Sequence, residues 1–287
     1  MKKSVLVITG LSLLTLASCG GSKTEETKAN TDSTAVTPAT VDTAKNTADD
    51  LTKFKFDFAI ANIPSPAQII SDFSSYNLNY NPAFLNDIQK VNLYNTEYSK
   101  AINLGVYNLD MAYAVANDKG SDVMKYMKTT LTEIDALGMK AAFDQFVGKR
   151  AETNIENKDT LLKIIDELYT SGDKYLRTNQ RIETATHIFV GSWVEALNII
   201  CHTGTDEADA AQKARVYKHL WEQRFYLKNI IDLLDAFKAK KEDADLIKDL
   251  SAIHGEIDAV KDAADINEAK FKSISGKIFA LRDKLTK

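Results

Sequence analysis

Residues 98–116 read Tyr98-Ser99-Lys100-Ala101-Ile102-Asn103-Leu104-Gly105-Val106-Tyr107-Asn108-Leu109-Asp110-Met111-Ala112-Tyr113-Ala114-Val115-Ala116. Within this stretch Tyr98, Ala101, Ile102, Gly105, Val106, Leu109, Ala112, Tyr113 and Ala116 recur at three- and four-residue spacing, the period of a helix face and not of a strand. Leu161, Ile165, Leu168, Gly172 and Tyr175 trace a second stripe of the same kind. Pro82 is the last of four prolines, so the 205 residues beyond it have none to break a helix. The expected class is all-α, an antiparallel helical bundle or a layered helical array, with strands nearly absent.

Working outward, breaks are expected at Asp118-Lys119-Gly120, Gly148-Lys149-Arg150, Thr178-Asn179, Gly204, Glu242-Asp243 and Asp262 to Asp265. Asn81-Pro82 and Ser65-Pro66 (with Gln68) read as cap-then-proline starts, Thr153 with Glu156 as a capping box, and Thr205-Asp206-Glu207 as an acidic helix start. The longest helix is predicted from about Asp206 to Lys240, with Leu220, Leu227, Ile231, Leu234 and Phe237 on its apolar side. Phe54-Lys55-Phe56-Asp57-Phe58 alternates with period two. It predicts an extended arm that lays three phenylalanines on the domain surface and ends at Ile63-Pro64. With no fixed-period repeat and no internal linker, residues 53–287 are expected to form a single helical domain.

The N-terminal end reads differently. Lys2 and Lys3 precede an apolar run from Val5 to Leu16, too short to span a bilayer, and small residues lead to Cys19, the pattern of a cleavable secretory signal over residues 1–18. Leu16-Ala17-Ser18-Cys19 resembles the lipobox of bacterial lipoproteins. That resemblance implies cleavage before Cys19, a diacylglyceryl chain on its sulfur and an acylated, palmitate-bearing terminus held on a membrane, each buried methylene contributing about 0.8 kcal/mol. Gly20 to about Leu51 has no aromatic residue, so 19–52 reads as a disordered tether spanning some 30 Å on average. Lys23, Glu25 and Glu26 resemble, in part, the charged signals that send lipoproteins of the Bacteroidota to the outside of the outer membrane; a solvated linker gives the same pattern. Outer-membrane attachment is the expectation, with the facing side left open.

Apolar residues make up 44% of the chain, enough for a sizeable core. Removing residues 1–18 leaves 34 basic against 40 acidic side chains. No basic stripe is left to displace counterions from phosphates, which argues against nucleic acid as a partner. Once Cys19 is acylated, Cys201 is a lone thiol with no intramolecular partner, and Leu197, Ile199 and Ile200 around it predict burial.

Candidate chemistry concentrates on the helix predicted over 179–203. Projected at 100° per residue, Gln180, Glu183, Thr184, His187, Gly191, Glu195, Asn198 and His202 share an arc of roughly 120°. Glu183 and His187, four apart, could be metal ligands or an acid-base pair, and Glu195 follows on the same face. The same arc is also what the solvent side of a central helix looks like; on that reading His187→Ala changes stability by no more than about 0.5 kcal/mol. A second candidate is the Tyr- and Asn-rich region from Tyr76 to Asn108, whose rings and amides suit sugars or polar peptides and equally suit turns and caps. His219 and His254 border apolar stripes. Gly148-Lys149 and Gly276-Lys277 lack the earlier glycine of a phosphate loop, Phe143 and Phe271 standing there instead. No nucleophile elbow, dinucleotide fingerprint or calcium loop is found, so no catalytic residue and no cofactor is assigned.

Ala101-Ile102-Asn103-Leu104-Gly105-Val106-Tyr107 and Gly191-Ser192-Trp193-Val194-Glu195, taken with the lipobox, resemble uncharacterised all-helical lipoproteins of the Bacteroidota. The resemblance implies no activity. Helical proteins of the imelysin group carry Gly-x-His-x-x-Glu, but Gly191 is followed by Trp193 and Ala196 at those positions. The expected function is a membrane-anchored lipoprotein whose helical domain binds or scaffolds a protein or polar ligand in the cell envelope; the alternative is a metal- or small-ligand-binding protein or enzyme using the Glu183/His187 arc.

Overall fold

The computed structural model describes residues 50–57, 80–205 and 208–287, which are helical with no strand among them. We number the α-helices α1 (50–57), α2 (Glu97–Ala116), α3 (Gly120–Ala136), α4 (Val147–Thr153), α5 (Lys158–Thr178), α6 (Ile182–Thr203), α7 (Ala210–Leu234), α8 (Lys241–Asp258) and α9 (Glu268–Leu285). The described residues belong to one compact unit. No helix among the described residues is long and apolar enough to cross a membrane. The signal and Cys19, the tether up to residue 49, Phe58, Ile63-Pro64, the Ser65-Pro66-Gln68 start, Tyr76, Asn77, Asn79 and Asp206-Glu207 lie outside the described residues.

The stretch that sets the fold is α2. A capping box opens it: Thr96 Oγ1 accepts from the Ser99 N–H at 3.0 Å, and Ser99 Oγ accepts from the Thr96 N–H at 3.1 Å. Fourteen of its 20 residues are buried, on every side, so it lies in the interior and does not float on a surface. Its partner α6 buries 16 of 22. The two cross at glycines. A Cβ on Gly105 would stand 1.9 Å from the Ile188 carbonyl oxygen, and one on Gly191 would stand 1.9 Å from that of Ile102. Only hydrogen fits there. Ser192 Oγ donates across the crossing to the Gly105 carbonyl at 2.9 Å.

Around this pair the array is layered. Helices α3, α4 and α5 pack as one set against α2 and α6, while α7, α8 and α9 pack as another. The central pair is not consecutive in sequence and runs in one direction: Thr184 bonds Glu97 near both N-termini, Ser192 meets Gly105 midway, and Glu195 stands by Asp110 further along. Short turns join the others. After α2 the chain reverses through Asp118 at φ 56°, with Lys119 N–H returning to the Ala114 carbonyl; α5 passes to α6 through Gln180 at φ 57°.

Several expected boundaries fall elsewhere. Residues 50–57 are helical, so Phe54–Asp57 is not part of an extended arm, and residues 50–52 of the expected tether belong to α1. On a helix residues two apart face nearly opposite ways, so Phe56 is buried under the Arg177 guanidinium while Phe54 stays exposed. Gly148-Lys149-Arg150 lies inside α4, where Gly148 lets the helix approach Leu131 of α3. Thr153 ends α4 by bonding back to the Lys149 carbonyl; the cap of α5 is Asn157, which accepts from Thr160 N–H at 3.0 Å. Helix α7 starts three residues after Glu207, capped by Asp209, and stops at Leu234 before a 3-10 turn over Asp235–Phe237. Glu242 and Asp243 sit in the first turn of α8, not in a break.

Candidate functional site

The polar arc of α6 does not face water. Thr184, His187, Glu195 and Asn198 are buried, and Glu183 and His202 are half-buried; only Gln180 is exposed. The solvent-side reading is therefore overturned, because α2, α8, α9 and the segment before α2 cover the arc. Once covered, its polar groups divide into two centres eight residues apart.

The first centre surrounds Glu195. Arg282 of α9 donates to it through Nε at 2.9 Å and Nη2 at 3.1 Å, and Asn198 Nδ2 adds a bond at 3.3 Å. Asp110 of α2 stands beside it, fully buried, accepting from Asn86 N–H at 3.0 Å. Burial first, then the Glu195 charge, hold the Asp110 carboxyl well above the usual carboxylate range, against the pull of Arg282. As a carboxylate Asp110 leaves Oδ1 without a donor; protonated, it becomes a donor facing Glu195. Burial alone lowers the Arg282 pKa, yet the Glu195 and Asp110 charges outweigh it and the guanidinium stays charged. His202, the end of the arc, is stacked between Phe84 at 4.4 Å and Phe279 at 4.3 Å.

The Tyr- and Asn-rich region feeds this same centre. Asn86 Nδ2 donates to Tyr94 Oη at 2.9 Å, Tyr126 Oη to the Asn86 carbonyl at 3.1 Å, and Tyr107 Oη to the Asp87 carbonyl at 3.0 Å. Asn103 Nδ2 reaches the Leu285 carbonyl of α9 at 2.9 Å. These groups, with Lys90 and Tyr94 donating to the Thr286 carbonyl just after α9, lock the segment from Tyr80 to Thr96 onto α2, α3 and the end of α9. They are packing polar groups, not a surface for sugars.

The second centre surrounds His187. Its Nε2 lies 2.6 Å from Asp243 Oδ1 of α8, and the Tyr98 ring packs edge-to-face with it, the ring centroids 4.8 Å apart. Asp243 is fully buried, and its Oδ2 has no hydrogen-bond partner. Glu183, one turn before His187, completes a set whose donor atoms all lie within 4.8 Å of one another. Lys240, just before α8, donates to Glu183 Oε1 at 2.5 Å; that bond raises the lysine pKa and keeps it an ammonium. Asp243 sits where the α8 macrodipole favours an anion. The sequence reading missed it. The available signal was phase: Asp243, Leu246, Leu250, Ile253 and Ile257 step along one buried stripe, so an acid stands where a core residue is due.

Elsewhere the groups are inert or isolated. Burial pushes the Cys201 thiol up to about 12, so it is no thiolate. His219 shares Gln223 with Trp193: Trp193 Nε1 donates to Gln223 Oε1 at 3.0 Å and Gln223 Nε2 lies 3.1 Å from His219 Nε2. Glu133 of α3 is buried with both oxygens unpartnered, and burial pushes its carboxyl up to about 7 despite the Lys100 charge. No family model, curated protein or solved structure matches this chain, so the two centres carry the functional reading by their own chemistry.

Proposed function

We propose that this protein is a lipoprotein of the cell envelope, anchored at the outer membrane through Cys19, whose helical domain works by binding or scaffolding a protein or polar ligand. The anchor rests on Leu16-Ala17-Ser18-Cys19 following an apolar run. What supports binding is the His187 centre, where nitrogen and oxygen donors converge beside half-exposed Glu183 and one buried carboxylate oxygen is left to receive a bond. The alternative, a metal or small-ligand protein or an enzyme built on Glu183 and His187, is favoured at this same centre by the arrival of Asp243 from α8.

The test of the anchor is Cys19→Ala in cells fed a clickable palmitate analogue. Labelling should vanish and the precursor should accumulate; equal labelling of the variant sinks the reading. Cross-linking on intact cells should then yield adducts to envelope components, and show which side of the membrane the domain faces.

A further inference from the structure

From the set Glu183, His187 and Asp243 we infer that the His187 centre is a binding site for one divalent first-row transition metal ion, with Lys240 acting as the internal cation that the metal displaces. The inference rests on the binding reading given above for this centre and names its ligand.

Three observations converge. One imidazole nitrogen and two carboxylates offer donor atoms within 4.8 Å of one another. A metal bonded at about 2.1 Å to tetrahedral ligands separates its donors by about 3.4 Å, so the set must contract modestly. Glu183, half-buried at the rim, has the freedom to supply that motion, and the 2.6 Å contact between His187 and Asp243 needs to open only slightly. Second, Asp243 Oδ2 is buried and unpartnered, a condition that native interiors rarely leave standing and that a cation would relieve. Third, the His187 ring is already held, packed edge-to-face with the Tyr98 ring.

Charge supports the choice of a cation. Glu183 and Asp243 bring two negative charges, and Lys240 offers one positive charge from a side chain that is 58% exposed. A side chain so exposed swings into water at small cost, because surface ion pairs are weak. A divalent ion in its place neutralises both carboxylates. The imidazole selects zinc, manganese or iron over calcium, which prefers six to eight oxygens, and over magnesium. Three protein ligands leave a coordination position open toward the Glu183 side, where a water or a partner's carboxylate can enter.

The experiment uses the full protein as purified from cells, in detergent micelles, stripped with a chelator and titrated with zinc or manganese by calorimetry and thermal melting. One equivalent should bind and raise Tm, with calcium and magnesium inert at the same concentration. Asp243→Asn and His187→Ala should each weaken binding at least about ten-fold. Glu183→Gln, half-exposed and nearly isosteric, tests the set without endangering the fold and should weaken it likewise; Lys240→Met should tighten it. Absence of any stoichiometric binding, or binding untouched by Glu183→Gln and Asp243→Asn, overturns the proposal. Because palmitate labelling at Cys19 does not depend on the metal, a failed titration leaves the lipoprotein reading standing and a failed labelling leaves the site standing.

Discussion

Glu195 and His187 lie on one helix, in one polar arc, under one roof of neighbouring helices, yet the interior treats them differently. Glu195 meets a guanidinium whose planar fork matches the carboxylate with two bonds, and Asn198 takes a third. Glu195 itself is paired, and Asp110 Oδ1 beside it, which has no donor, belongs to a carboxyl whose burial favours protonation and so lets it donate. His187 meets a carboxylate whose second oxygen is left bare, and beyond it Glu183 is tied to an exposed lysine at the rim. A buried carboxylate paired by a bidentate guanidinium holds elements in place, whereas an unpartnered carboxylate oxygen beside a half-exposed residue has something left to bind.

The largest effect should come from breaking the closed centre. Arg282→Met leaves Glu195 buried without its cation, which should cost about 3 to 5 kcal/mol by urea unfolding; a loss under about 1 kcal/mol would show that water already reaches this centre. Next comes the crossing that holds both centres in register. Gly105→Ala or Gly191→Ala forces a methyl into a backbone carbonyl and should cost about 3 kcal/mol.

The open centre should be cheaper to break. In His187→Ala the buried Asp243 loses the hydrogen-bond partner it has among the described residues, and the expected loss is about 1 to 3 kcal/mol, not the surface value of about 0.5. An effect at the surface value would mean that water or another group already serves Asp243.

Glu133 is the control, a buried carboxylate with neither cation nor histidine bonded to it and only the Lys100 charge nearby. Its carboxyl, raised to about 7 in the fold, keeps a proton there that the unfolded chain releases near its ordinary value of 4.5. Folding then binds more protons than unfolding across that window, so this group's contribution is full below about 4.5 and is lost as pH rises through about 7. Glu133→Gln should flatten that slope and raise stability at pH 8 by about 1 to 2 kcal/mol; an unchanged slope would assign the pH dependence to other groups. The smallest effect belongs to Lys240→Met. Its exposed contact with Glu183 should change stability by no more than about 0.5 kcal/mol in the absence of metal.

The sequence by itself determined the helices. Apolar residues at three- and four-residue spacing, no proline beyond Pro82, and turns at Asp118, Thr178-Asn179, Gly204 and Asp262 to Asp265 sufficed, because helix formation and termination are decided within a few residues. The same locality made Cys201 legible as a buried thiol. It failed where two local signals compete: Phe54–Phe58 spells an alternation too short to outweigh the helix that buries Phe56, and Asn157 is a nearer cap for α5 than Thr153. Helical projection also identified which residues of α6 share a face. What covers that face was decided only in three dimensions, by Arg282 arriving from 87 residues away and Asp243 from 56. Projection reports the angle of a side chain about its own axis, and the dielectric it experiences is set by whichever helices pack over it.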